Sequence, residues 1–385
     1  MTKRKIVIAS DSFKGTLSSL DICNLFKSEL KNREDINPIF LPIADGGEGS
    51  LEAISHILDG EYIDIEVNDL YFKKIQTRYF IDKNNNAYIE TASCVGLGLI
   101  KENNNPGLVT TYGLGEQIKD ALSRGCKTIY VFLGGSASND GGVGLAAALG
   151  VKFFDKDDKE FIPTGLTLKN ITKIDVKNVK EADYVALTDV LSPFYGPEGA
   201  AFKFAPQKGA TLEEVVLLDE GLKHLSNIIN KDLGVDISNA PGAGAAGGLG
   251  GGLIAFMRAQ VKSGINAILD LINFDEIIKN ADLVISGEGK LDKQTFDGKV
   301  INGVSSHCVK ANKPLDIIVG ISEVSFDKVK EMYPCVLNVY ETNENHLPFD
   351  EVKKTAKEDY IKQINKLLND MRSETNDEQR FWTII

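Results

Sequence analysis

At 385 residues the chain exceeds one ordinary core and points to two or three domains. Its 43 Lys and Arg against 55 Asp and Glu leave a formal charge of −12, which excludes the broad basic surface that nucleic-acid binding requires. An apolar fraction of 43% excludes general disorder, and no run approaches the roughly eighteen apolar residues of a membrane span.

Met1 to Lys5 is basic, but only Ile6 to Ala9 follows before Ser10 and Asp11. That run is too short for a signal-peptide core and predicts a strand buried on both faces of a parallel sheet. Ile22, Leu25, Phe26 and Leu30 then recur at helical spacing. The unit repeats with Ile39-Phe40-Leu41, the loop Asp45 to Gly49, and a helix carrying Leu51, Ile54, Ile57 and Leu58. From Tyr62 the pattern becomes alternating through Ile63, Ile65 and Val67. Ile75 to Ile81 and Ala87 to Ile89 follow, joined by the hairpin turn Asp82 to Asn86. Helix 114–122, strand 128–133 and a Gly-rich loop resume the α/β rhythm. Thr211 with Glu214 has capping-box spacing at the head of a long helix. Leu283 to Ile285, Ile317 to Val319 and Val336 to Val339 are three further α/β steps.

The fold class expected is α/β. Residues 1–64 plus 281–385 read as a discontinuous Rossmann- or flavodoxin-like parallel-sheet domain. Residues 65–280 read as an inserted α/β domain with a mixed sheet, with the active site in the cleft between the two. The tail from Ser373 to Ile385 is polar and reads as frayed apart from Phe381 and Trp382.

Five cysteines, odd in number and without a close pair, read as the reduced thiols of a cytoplasmic protein. The 36 glycines matter for where they fall. In open α/β sheets ligands sit beyond the carboxyl ends of the strands. Four Gly-and-acid loops fall at such ends: Ser10 to Gly15, Asp45 to Gly49, Gly134 to Gly142, and Ser286 to Gly289. A fifth strand, Val185 to Leu187, delivers Thr188 and Asp189 directly. Any one such loop is ordinary tight-turn chemistry. Together they combine bare N–H groups for anionic oxygens with carboxylates for a divalent cation, which describes a nucleotide phosphate site.

Pro241 to Gly252 is the densest glycine tract and leads into a helix at Leu253 to Met257. Gly242, Gly244 and Gly247 fit G-x-G-x-x-G formally, but Val235 to Ala240 is a poor strand and no acid follows at the required place. Phosphate binding and close helix packing both remain open for it. No P-loop occurs. Leu291 to Lys299 mixes acid, amide, hydroxyl and base, and Ala205 to Ala210 precedes the capped helix; each alone reads as a solvated loop. The four histidines lack metal-ligand spacing, and His56 and His307 read as structural. Neither a Ser-His-Asp arrangement nor G-x-S-x-G is present.

The series Asp11-Ser12-Phe13-Lys14-Gly15, Ala44 to Gly49, Gly134 to Gly142, Thr188-Asp189-Val190, Pro206 to Ala210, Pro241 to Gly248 and Ser286 to Gly289 closely resembles the type-1 glycerate kinase family. Asp292, Gln294-Thr295 and Gly298-Lys299-Val300 continue it, and order and spacing hold from about residue 5 to 320. The sequence departs from the family's pattern at Leu191 to Phe194, at Ile301-Asn302, at Gly320-Ile321-Ser322 and beyond Val339. The resemblance implies phosphorylation of glycerate by ATP with Mg2+, giving 2-phosphoglycerate in preference to 3-phosphoglycerate, and two α/β domains. Its partners would be the small molecules glycerate and ATP, with neither nucleic acid nor membrane involved and a homodimer left open.

Phosphoryl transfer needs positioning, charge neutralisation and a group to accept the hydroxyl proton. Charge and placement make Asp189 the expected base, with Asp45 and Asp292 as competitors, and Lys14 the clamp on the phosphoryl group or the glycerate carboxylate. Asp140, Glu288 and Asp292 are the expected magnesium acids. Asp11, Ser12, Gly46, Gly47, Ser136, Asn139, Gly242, Gly244, Ser286, Gln294, Thr295 and Lys299 are the expected substrate and phosphate contacts. Two rivals stay open: a non-catalytic nucleotide or sugar-acid sensor, and an NAD-dependent hydroxy-acid dehydrogenase using the 242–247 glycines.

Overall fold

The strands separate into two main sheets in a computed structural model of the chain. It describes residues 3–47, 49–100, 104–177, 179–292, 295 and 298–382, with side chains as far as Met371. In chain order come β1 (Arg4–Ser10), α1 (Ser19–Glu29), β2 (Ile36–Pro42), α2 (Ser50–Ile57), β3 (Gly60–Asn68), β4 (Lys74–Asp82), β5 (Asn86–Glu90) and α3 (Ala92–Val95). Next are α4 (Tyr112–Ser123), β6 (Thr128–Phe132), α5 (Val143–Ala148), β7 (Lys152–Phe154), β8 (Glu160–Phe161), β9 (Lys173–Asp175), β10 (Asp183–Leu187), α6 (Ala200–Phe204) and α7 (Leu212–Leu233). The chain continues through α8 (Ala245–Met257), β11 (Gln260–Lys262), α9 (Gly264–Leu271), α10 (Phe274–Ile278) and β12 (Leu283–Leu291). It closes with α11 (Val300–Ala311), β13 (Leu315–Ser322), α12 (Phe326–Met332), β14 (Val336–Glu341) and α13 (Phe349–Trp382).

Two compact units result: Met1–Asp45, Glu52–Ile57 and Ile265–Ile385 form the first, Gly46–Leu51 and Leu58–Gly264 the second. The first is built on a wholly parallel sheet of order β14-β13-β12-β1-β2. Counted along this unit alone, that is the flavodoxin-like order 2-1-3-4-5. Ile6, Val7, Ile8 and Ala9 of β1 are fully buried, as a strand covered on both faces demands. One layer of its core joins Phe13, Leu17 and Phe26 to Tyr360, Ile364 and Leu367 of α13. Phe13 meets Tyr360 edge to face at 5.2 Å, so the C-terminal helix props the loop after β1. At the head of α1, Ser18 and Asp21 form a reciprocal capping box.

The second unit carries a six-stranded sheet of order β11-β10-β6-β5-β4-β3. The β11-β10-β6-β5 part is parallel, and β5-β4-β3 is antiparallel through the expected hairpin. A small antiparallel sheet, β8-β7-β9, lies beside it in the same unit. The capping box of Thr211 and Glu214 opens α7 as expected.

The seams fall at residues other than 64 and 281. β3 pairs along its whole length with β4, so residue 64 lies inside a strand of the second sheet. Residues from Ile265 onward, including α10, belong to the first unit. Three further differences are local. Ser286 to Gly289 is not a loop: it continues β12, whose neighbours β1 and β13 both extend far enough to pair with it. The glycine tract enters its helix earlier than expected, at Ala245, across a break where Ala246, Gly247 and Gly248 are left-handed. The tail expected to fray continues α13 as far as Trp382. Among the described residues no helix is long and apolar enough to cross a membrane. All five cysteines are free thiols.

Candidate active site

In a 2-1-3-4-5 sheet the chain leaves the central strand in opposite directions at the switch point, and a crevice opens there. In the first unit that point lies between β1 and β12. Asp11 follows β1, and its amide donates to the Gly287 carbonyl of β12 at 2.9 Å. Glu288 is the next residue of β12, 3% exposed. The topology therefore brings an acid from each side of the switch to one place.

The electrostatics there are crowded. Asp11 is pushed up to about 8, first by burial, then by the Asp45 carboxylate. Its Oδ1 accepts the Ser12 amide at 2.6 Å, and that bond together with Lys14 opposes the rise. Glu288 is pushed up to about 7 by burial, against the Thr295 hydroxyl and Lys299. Thr295 Oγ1 donates to Glu288 Oε1, while Glu288 Oε2 is buried with no hydrogen-bond partner among the described residues. Lys14 Nζ lies 3.3 Å from Asp45 Oδ2, with the lysine side chain 75% exposed. Asp45 in turn raises the lysine pKa. Asp292 is bracketed by Lys299 at 3.4 Å and Lys290 at 3.8 Å, and its amide donates to Thr295 Oγ1 at 3.0 Å. Ser286 is fully buried, its hydroxyl unpartnered among the described residues. Gln294 lies outside the described residues. Asp11, Ser12, Lys14, Asp45, Ser286, Glu288, Asp292, Thr295 and Lys299 thus share the first unit's carboxyl-end loops and β12.

Carboxylates whose charge is disfavoured first by burial and then by one another, one of them with an orphan oxygen, are what a divalent cation and phosphate oxygens would relieve. No group of three or more His, Cys, Asp or Glu among the described residues is arranged to hold a metal by itself.

The second unit holds the remaining expected residues. Asp189 stands two residues beyond the end of β10, and its Oδ1 accepts the Gly264 amide at 3.0 Å. In the Gly134 to Gly142 loop, Ser136 Oγ accepts the Ser138 amide at 3.2 Å. Asn139 is fully buried, with neither end of its amide partnered among the described residues. The Gly134 amide donates to the Gly46 carbonyl at 3.4 Å, and Ser50 Oγ donates to that of Gly47 at 2.7 Å. The Gly242 carbonyl accepts from Ala245, and the Gly244 amide donates to the Ser192 carbonyl.

Asp140, expected as a magnesium ligand, is placed otherwise. It is fully buried, and its carboxylate accepts the Thr111 amide and hydroxyl at 2.8 and 2.9 Å and the amides of Gly142 and Gly144 at 3.0 and 3.3 Å. Burial raises its pKa and those four donors pull it back. With both oxygens committed, Asp140 is the clasp of its loop. Thr111, which does half of that clasping, has no sequence motif that would have marked it. His56 bonds within its own helix and His307 pairs with Asp275 at 2.5 Å, structural placements for both.

The glycerate kinase family model matches residues 6–372, past the point where the motifs themselves stop. A glycerate kinase of Haemophilus influenzae is 40% identical over 332 residues, covering 84% of this chain and 88% of its own. The glycerate 2-kinase of Escherichia coli K12 is 38% identical over 323 residues, 82% of this chain and 85% of its own. A crystal structure from Salmonella typhimurium LT2, described provisionally as glycerate kinase 2, superposes with a TM-score of 0.82 at 32% identity. It covers 97% of this chain and 100% of that one. The chain belongs to the glycerate kinase family, a family of kinase enzymes that use a nucleotide as phosphoryl donor.

Proposed function

We propose that this chain phosphorylates D-glycerate with ATP and magnesium, giving 2-phosphoglycerate. The observation that carries the reading is the Asp11, Asp45 and Glu288 cluster at the first unit's switch point, faced by Lys14 and Lys299. Phosphoryl transfer asks a protein mainly for positioning and charge stabilisation, and this is a set of groups for both. The name of the Escherichia coli relative supports the choice of hydroxyl.

Glu288 and Asp11 are the residues that would hold the cation, with Asp45 and Asp292 at the margin. Bound there, magnesium would supply charge neutralisation on the phosphate oxygens. Lys14, exposed and tethered only at its tip, is assigned to the transferring phosphoryl group or the glycerate carboxylate. Thr295 keeps Glu288 oriented, and Lys299, Ser12, Ser286 and Gln294 orient substrate and phosphates. In the second unit, Asp189 is assigned the glycerate hydroxyl proton, its carboxylate aimed by the Gly264 amide. Ser136, Asn139, Gly46, Gly47, Gly242 and Gly244 are assigned to the nucleotide phosphates. The free thiols suit a cytoplasmic setting, where ATP is supplied.

Incubation with ATP, Mg2+ and D-glycerate, followed by NMR resolution of 2- from 3-phosphoglycerate, tests the reading. The expected product is 2-phosphoglycerate. A 3-phosphoglycerate product corrects the hydroxyl, and no ATP-dependent product overturns the function.

A further inference from the structure

Ala205 to Ala210 is a motif to which the proposed chemistry assigns nothing. Lys208 ends its short turn, is 3% exposed, and projects into the core of the second unit. Burying a lysine is costly unless it is bonded and balanced. Its Nζ donates to the Ser138 carbonyl at 2.7 Å, and the charge it faces is that of Asp140. Burial holds its pKa down to about 7, with Asp140 opposing. The turn that carries it is tied in as well: Asn104 Nδ2 donates to the Lys208 carbonyl at 2.7 Å, and the Tyr71 hydroxyl donates to Asn104 Oδ1 at 2.8 Å. The next residue after the pinned Ser138 carbonyl is Asn139, whose buried amide is unpartnered at both ends among the described residues. An apolar side chain would fill the same volume at less cost, so the amine is explained by what it holds.

We propose that Lys208 is a positioning residue: by pinning the Ser138 carbonyl and balancing Asp140 it sets the loop backbone that presents Asn139 to the nucleotide phosphates. This rests on the kinase reading, in which that loop serves the donor. Lys208 itself touches no substrate; it acts through Ser138 and Asn139.

A double-mutant cycle on the full-length enzyme tests it, with Lys208→Met, Asn139→Ala and the pair. Each single variant is expected to raise the KM for ATP about tenfold while the KM for glycerate stays within about twofold. The pair is expected to be no worse than about twofold beyond the worse single, where independent effects would multiply. Multiplying effects, or an unchanged KM for ATP in Lys208→Met, overturn the role. If thermal melts show that Lys208→Met does not fold, Asn104→Ala decides: it loosens the turn alone and is expected to raise the KM for ATP about threefold, less than the Lys208 variant because the ammonium is retained. An unchanged KM in that variant overturns the role too. A wild-type protein without product removes the kinase reading and this role with it. An active wild type with a normal Lys208→Met removes this role alone.

Discussion

At the residue scale the site separates groups that stabilise the fold from groups that do not. Lys14 is exposed and meets the half-buried Asp45 at its tip, and ion pairs open to solvent contribute no more than about 1 kcal/mol. Lys14→Ala should therefore melt like the wild type while kcat falls about 10²-fold or more, the scale seen when one charge-stabilising donor is removed. Unaltered turnover would take Lys14 out of the reaction. Asp189→Asn keeps shape and removes the base, and kcat is expected to drop about 10²–10⁴-fold; near-normal kcat would leave Asp45 or Asp292 as the base.

The acids make a second residue-scale prediction, with a definite sign. Glu288 and Asp11 have folded pKa values raised to about 7 and about 8, so between their unfolded values and these the folded state binds more protons than the unfolded one. Stability contributed by the two is then fully present below the ordinary carboxylate values of 3.8 and 4.5, and is lost as pH rises from there until the folded values of about 7 and about 8 are passed. The melting temperature of the metal-free protein should fall across that window, and Glu288→Gln should flatten the part near pH 7. A slope of the opposite sign would mean that these acids are ionised in the fold.

At the scale of elements, the break at the start of α8 is tightly constrained backbone. Gly247 has φ +70, and a Cβ there would overlap the Ser138 carbonyl oxygen. Helix and loop therefore pass each other at a distance only glycine allows. Gly247→Ala is expected to cost about 2–4 kcal/mol by denaturant unfolding, since both strain and overpacking fall on backbone. Gly98→Ala is the control: its φ is ordinary and nothing lies within 4 Å of the new methyl, so its midpoint should not move. A Gly247 variant as stable as the control would show that α8 can shift. The tract's sequence left packing and phosphate binding open, and at Gly247 the close approach is accounted for by packing alone.

At the scale of the whole molecule, metal should act as a ligand that binds the folded state. Added Mg2+ should raise the melting temperature more at pH 8 than at pH 6, because at pH 6 protons compete for Glu288 and Asp11. An equal rise at both pH values would place the cation elsewhere. The sequence by itself determined the α/β class, the parallel strands, the hairpin, the cap of α7 and the free thiols, because these follow from local apolar period and turn chemistry. It also carried the family, through motifs whose order survives over most of the chain. What only the tertiary structure decided was the use of each acid. Asp140 and Glu288 both sit beside glycines in sequence, yet one is consumed by four donors while the other keeps an orphan oxygen. Partner count depends on Thr111, 29 residues from Asp140, and on which strands pair with β12, and both are long-range. A run of residues records what a group could do; burial and the donors brought to it from elsewhere in the chain settle what it does.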